Sequence, residues 1–308
     1  MASALRLIRI YFEYLASTFL WTILNPFGLR QMLLQISGQI TAIIRGLAKG
    51  SAAANDNPVI LRLPFDGWWK VHNGGVTKSS SHSWNIISQR YAYDFVIVDE
   101  SDKSFQGNPK YPGSYFAFGQ PVLAAADGVV VEARDGIRDY SRAGTGWIDW
   151  RTRDIRGNYV IIEHQGQRYT LYAHLQAKSI CVKTSELVKA GQVIGRCGHS
   201  GHSTEPHLHF QLQDKANFFT AIGLPACFSR IERKTNERHS QYVESGYIER
   251  DQRVRNATSD GREGIVEKAA LAKPGIGDLV KIIVISLFTV LGILAVIARL
   301  VELVVGIL

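Results

Sequence analysis

The chain has 308 residues, of which 46% are apolar and 20% charged, and it carries a formal net charge of +8. This is the composition of a globular protein with a core of ordinary size. The positive charge suits anionic surroundings such as phospholipid headgroups or a cell-wall polymer. No basic cluster is interleaved with exposed aromatics, which excludes nucleic acid as the partner.

Residues 1–54 read as a helical membrane segment. Arg6 and Arg9 precede the apolar run Ile10–Leu24, which Glu13 interrupts. Asn25-Pro-Phe-Gly28 breaks any helix. Met32–Leu47 then mixes Leu33, Leu34, Ile36, Ile40, Ile43 and Ile44 with Gln35, Gln39 and Arg45. That is an amphipathic helix rather than a span. The pair is expected to insert into a membrane or lie on it; the alternative is a helical pair packed on a soluble domain.

Asn55-Asp-Asn-Pro58 is a linker into a domain over 55–228. Short apolar runs separated by turns follow: Tyr91–Val98, Pro121–Ala126, Gly128–Arg134, Asn158–Glu163, Arg168–Leu175 and Gln192–Cys197. They predict a mainly β, antiparallel domain. Asp135–Asp154, long for a connection, is expected to wall a groove. Residues 229–277 carry both signs of charge and few aliphatics, and read as a charged linker. Residues 278–308 contain the charge-free stretch Ile282–Ala298, expected to cross a bilayer. Lys268, Lys273 and Lys281 precede it and Arg299 follows, which by the positive-inside rule opposes an outward domain; Arg6 and Arg9 favour an inside N-terminus. Cys181, Cys197 and Cys227 read as small hydrophobes, with a Cys181–Cys197 bridge open in an oxidising compartment.

The chemistry is concentrated in Gly195–Leu212. Pro206-His-Leu-His-Phe-Gln-Leu212 is a strand pattern, so His207 and His209 point into one space while Leu208, Phe210 and Leu212 face a core. His174 lies in the strand pattern Tyr169–Leu175, and Asp94 in Tyr91–Val98. Asp94 sits among Tyr93, Phe95, Val96 and Ile97, where a carboxylate is costly unless a cation meets it. An arginine is one answer; a metal ion shared with imidazoles is the sharper one.

Several ordered motifs, Asp127-Gly-Val-Val-Val131, Leu171-Tyr-Ala-His-Leu175, Val188–Gly195, Gly198-His-Ser-Gly-His-Ser203 and Pro206-His-Leu-His-Phe210, resemble the M23 (LytM, lysostaphin-like) zinc metallopeptidases. The resemblance covers Leu61 to Phe228 and implies an antiparallel two-sheet peptidase domain, to which the apolar flanks add membrane-associated helices. It implies Zn2+ as cofactor, with His209 and Asp94 as ligands and His174 and His207 as catalytic partners, His174 the candidate base. The common family pattern has a His four residues before the Asp, where this chain has Arg90, which does not ligate zinc. His82 is therefore expected as the first ligand, and Arg90 near the site on the face of Asp94. His199 and His202 are expected to be exposed or to line the groove.

The implied substrate is the peptide cross-links or stems of peptidoglycan. The implied place is the cytoplasmic membrane, with the catalytic domain anchored on its outer side. The rival reading is a catalytically inactive scaffold of the same fold that binds and regulates another cell-wall hydrolase.

Overall fold

A computed structural model describes residues 2–49, 59–236, 239–258, 264–267, 277, 280–282 and 284. Two helices open the chain, α1 (Ala2–Leu24) and α2 (Pro26–Lys49). The first strands are β1 (Ile60–Leu61), β2 (Trp69–Asn73), β3 (Tyr93–Val96) and β4 (Pro121–Leu123). The middle of the chain supplies β5 (Gly128–Arg134), β6 (Asn158–His164), β7 (Arg168–Leu175), β8 (Leu187–Val188) and β9 (Val193–Arg196). Then come β10 (Leu208–Gln213), β11 (Gly223–Leu224), β12 (Cys227–Asn236), β13 (His239–Gly246), β14 (Arg253–Asn256) and β15 (Ile265–Val266).

The protein is mainly β. A 13-stranded sheet runs β15-β13-β12-β14-β2-β3-β10-β7-β6-β5-β8, with β1 added to β12 and β11 to β10; β4 and β9 form a separate pair. Strand alternation gives the large sheet two distinct faces. On one, Tyr93, Phe95, Tyr172, Leu208 and Phe210 join Val122 and Ile194 of the small pair in the main core. On the other, Asp94 lies opposite His209, His209 opposite Ala173, and Gln211 opposite Leu171. This second surface carries the candidate site residues Asp94 and His209.

The charged linker expected over 229–277 is corrected in its described part. Its described residues up to 236, 239–246 and 253–256 form β12, β13 and β14, and β15 adds to β13. The charges are neutralised across strands: Arg255 pairs with Glu232 at 2.7 Å and Arg233 with Glu267 at 2.5 Å. Ile231, Val243 and Val254 between them are fully buried.

The N-terminal hairpin is helical as expected, but it packs on the domain. Tyr14, Ser17 and Trp21 of α1 face inward, Ser17 donating to Gly146 O and Tyr14 and Trp21 packing on His202. In α2, glutamines on successive turns cross from one loop to another. Gln31 donates to Arg153 O at 2.7 Å and accepts from Ile155 N at 2.8 Å. Gln35 donates to Ser88 Oγ, and Gln39 donates to Asn85 O at 2.9 Å while accepting from Ile87 N at 2.7 Å. Gln31 and Gln39 each join one carbonyl and one N–H of loop backbone that has no ladder partner. Gly38 lets α2 approach closely: a Cβ there would lie 1.8 Å from Phe219 O. No helix among the described residues is long and apolar enough to cross a membrane. In the hairpin, Arg9 and Glu13 and the glutamine stripe give the physical reason. The expected C-terminal span lies outside the described residues except for Ile282 and Val284, and Ile282 is buried against Ala42 and Ile87. All three cysteines are free, Cys181 at the surface and the other two buried, so the Cys181–Cys197 bridge is not formed.

Candidate active site

Asp94 is buried on β3 and three imidazoles turn toward it. His209 Nδ1 lies 3.0 Å from Asp94 Oδ1, His82 Nε2 lies 3.5 Å from Oδ2, and His207 Nε2 lies 3.7 Å from Oδ1. Asn73 Nδ2 donates to Oδ2 at 3.2 Å. Burial works to raise the Asp94 carboxyl, but His82, the hydrogen bond of His209 and the charge of His207 hold it well below the usual carboxylate range. The sequence-predicted residues His82, Asp94, His174, His207 and His209 are thus brought to one place.

His174 arrives there by a backbone irregularity. Alternation after Tyr172 would aim it into the main core. Instead it takes a left-handed conformation, φ 59°, and its N–H bonds to Arg156 O. Its ring then lies 4.7 Å from that of His207 and 5.9 Å from that of His209. His174 Nδ1 donates to Ser200 O at 2.9 Å and His207 Nδ1 to Glu205 O at 2.8 Å. Those bonds fix the tautomer, leaving each neutral ring with a bare Nε2. Burial, reinforced by His207 and His209, pushes the His174 imidazole well below its ordinary value. Burial lowers His207 too, opposed by the Asp94 charge.

The metal question turns on His209. Gln211 Nε2 donates to Ser88 O and to Gln213 Oε1, so its amide oxygen is the atom 3.2 Å from His209 Nε2. That ring nitrogen thus faces an acceptor, and Nδ1 lies 3.0 Å from a carboxylate oxygen, a pair joined by a donated proton or by a metal ion in its place. Neighbouring donors on a tetrahedral zinc with bonds of about 2 Å lie about 3.3 Å apart. The His209–Asp94 and His82–Asp94 separations bracket that figure. Among the described residues no group of three or more His, Cys, Asp or Glu is gathered closely enough to hold a metal as it stands. The donor set fits zinc in type, and both separations from Asp94 are of the right size.

Three placements differ from expectation. Arg90 is not on the strand with Asp94 but ends the 3-10 turn Ile87–Gln89 in a right-handed helical conformation. Its Nε donates to Trp84 O and its guanidinium lies over the Trp84 ring, so it builds the His82 loop from beneath. His199 is fully buried, bonded through Nδ1 to Ser203 Oγ, and burial brings it down to about 4. His202 is packed by Tyr14, Trp21 and Thr18 of α1 rather than lining the groove. Sequence reasoning missed Gln211 and Asn73. The polar alternation His207, His209, Gln211, Gln213 was a usable signal for the first; Asn73 comes from a strand end with none.

Residues 114–220 match the sequence model of peptidase family M23. Residues 114–220 are thus an M23 peptidase segment. The M23 match includes His174, His207 and His209, whereas His82 and Asp94 precede it. The peptidoglycan DD-endopeptidase ShyC of Vibrio cholerae is 40% identical over 93 residues, 30% of this chain and 17% of that protein. The glycyl-glycine endopeptidase ALE-1 of Staphylococcus capitis is 39% identical over 133 residues, 42% of this chain and 31% of that one. The chain thus spans under a third of the length of both curated relatives. Among solved structures, a zinc-containing peptidase from Vibrio cholerae aligns at 24% identity and a TM-score of 0.33, over 55% of this chain and 41% of that one.

Proposed function

We propose that this M23 protein is a zinc-dependent endopeptidase that cleaves the peptides of peptidoglycan, anchored at the cytoplasmic membrane with its catalytic domain on the outer side. The observation that carries the reading is the meeting of His82, His209 and His207 at Asp94, with His209 Nδ1 3.0 Å from the carboxylate. The M23 match and the similarity to wall endopeptidases support the substrate class.

In this reading His82 Nε2, Asp94 and His209 Nδ1 hold the zinc. When bound, zinc polarises the scissile carbonyl and acidifies a water. His174, kept neutral by burial and oriented by Ser200 O, accepts the proton of the attacking water at Nε2. His207, its Nδ1 held by Glu205 O, takes up a second proton at Nε2 beside the Asp94 charge and donates from there to the developing oxyanion. Gln211 holds His209 in the tautomer that presents Nδ1. Asn73 holds the second carboxylate oxygen.

The test is release of soluble muropeptides from sacculi by the full chain, with chelator and after zinc is restored. Loss on chelation and recovery with zinc is the expected result. Unchanged release after verified metal removal overturns the metallopeptidase reading, and no release by a folded, zinc-loaded chain assigns the scaffold role. Protease shaving of intact spheroplasts checks the outward placement: a domain protected until lysis is cytoplasmic.

A further inference from the structure

The N-terminal hairpin has two faces of opposite character, and the catalytic site needs neither Phe nor Leu on the outer one. In α1, Phe12 and Phe19 lie one helical face away from Ser17 and Trp21, and they are 72% and 58% exposed. In α2, Leu33, Ile40 and Ile44 recur at helical spacing opposite Gln31, Gln39 and Ala42, with Ile44 62% exposed. Large apolar side chains gathered in this way mark a contact surface rather than ordinary scatter.

The hairpin that carries this surface is cationic by sequence. Residues 1–49 contain Arg6, Arg9, Arg30, Arg45 and Lys49 against a single acid, Glu13. Glu13 is engaged by Arg9, and Arg45 by Asp214. A second copy set against the patch by two-fold symmetry would bring arginine against arginine, with no spare acid to meet it. Anionic headgroups meet it directly. The position in the chain agrees. Ile282, the first residue of the charge-free stretch Ile282–Ala298, is buried against Ala42 of α2, so that stretch starts beside the hairpin.

We propose that the outer face of the α1–α2 hairpin lies on an anionic lipid bilayer and thereby turns the catalytic face of the sheet toward that bilayer. The orientation follows from the packing. Leu34 of α2 sits on Tyr159, Ile161, Leu171 and Ala173, the same sheet face that carries Asp94 and His209. The outer face of α2 and the catalytic face therefore look the same way, separated by one helix, about 10–12 Å thick. Resting on the membrane-anchored peptidase reading, the inference narrows the substrate. It selects peptide strands held close to the membrane surface over those in outer layers of the wall.

The experiment uses the full chain with Cys181 replaced by Ser and one fluorophore, placed by Ile40→Cys or by Leu187→Cys. Leu187 is 78% exposed on β8, at the end of the sheet path. The vesicles are phosphatidylcholine with or without phosphatidylglycerol, and carry nitroxide-labelled lipid. The expected result is strong quenching at position 40 and none at 187. Binding should be about tenfold tighter to the anionic vesicles and weakened by salt. Adding Phe19→Glu and Leu33→Glu should abolish quenching at position 40 without changing the melting temperature, since both side chains face solvent.

Vesicle binding with no quenching at position 40 overturns this inference and leaves the membrane-anchored reading standing. No vesicle binding at all overturns both. A label at position 40 already shielded from aqueous iodide without vesicles means that another part of the chain or a second copy covers the face, and also overturns the inference. Muropeptide release is scored separately and bears only on the peptidase reading.

Discussion

The catalytic face of the sheet has two halves that obey one rule and do opposite things. Where β3 meets β10, alternation presents Asp94, His209 and Gln211, a polar pocket in which one hydrogen bond fixes the next. Where β7 meets β6, it presents Leu171, Ala173, Ile161 and Tyr159, an apolar floor under Leu34, Phe218 and Phe219. The difference lies in the cover. Loops close over the polar half and leave His82 in contact with solvent, whereas a helix closes the apolar half. Reactivity and rigidity are thus built side by side on the same strands, and α2 touches both: its leucine holds the floor and its glutamines hold the loops.

The largest effect expected from breaking this division is at Asp94. Asp94→Ala should weaken zinc binding by more than about a hundredfold, beyond the scale of losses around a ligand, read by competition with a chromophoric chelator. Its counterpart on the floor, Leu171→Ala, should cost about 2–5 kcal/mol in urea unfolding and leave zinc affinity of the folded protein unchanged. Equal effects of both variants on zinc would mean that the two halves are not separable.

The next effect separates two residues of one loop. His82→Ala should lower zinc affinity at least about 10–100-fold, while Arg90→Ala, beneath the loop on Trp84, should keep the metal within about threefold and lower the melting temperature. Zinc binding by His82→Ala as tight as in wild type refutes its assignment as a ligand.

A smaller effect links the halves. Gln39→Ala leaves the Asn85 carbonyl and the Ile87 amide without their partner, at a cost of about 1–3 kcal/mol. Amides 83–88 should then exchange faster in hydrogen–deuterium measurements while β7 and β10 keep their protection. Unchanged exchange in that loop means that α2 does not brace it.

The smallest effect is a pH dependence of hairpin docking. Burial against α1 lowers His202 to about 4 from an ordinary value of 6.5. The folded state therefore resists protonation: its stability is fully present above pH 6.5 and is lost as pH falls toward 4. Exchange of α1 amides should rise across that window, and His202→Gln should flatten the rise.

Much of the polar half was legible in the sequence, because period-two alternation around His209 and the apolar neighbours of Asp94 are local signals. His174 was legible only through its motif. Its side chain reaches the site through a left-handed residue, and alternation alone would have aimed it away. Arg90 was misplaced because a strand was assumed to reach it, when the chain turns in a 3-10 helix three residues before β3. Residues 229–256 read as a linker because mixed charge looks solvated in one dimension; Arg255 meets Glu232 only once β12 and β14 are paired. The docking role of the hairpin's glutamines carried no signal, since Gln31, Gln35 and Gln39 meet loop groups far along the chain.

The left-handed backbone of His174 has an evolutionary consequence. A residue with a Cβ in that conformation costs about 1–2 kcal/mol relative to glycine. Glycine at 174 releases that strain but gives up a buried ring and the bond to Ser200 O, losses at least as large. The main chain at 174 is thus held in an unfavourable conformation by its own side chain. A lineage released from selection for turnover gains no heat resistance by discarding that histidine.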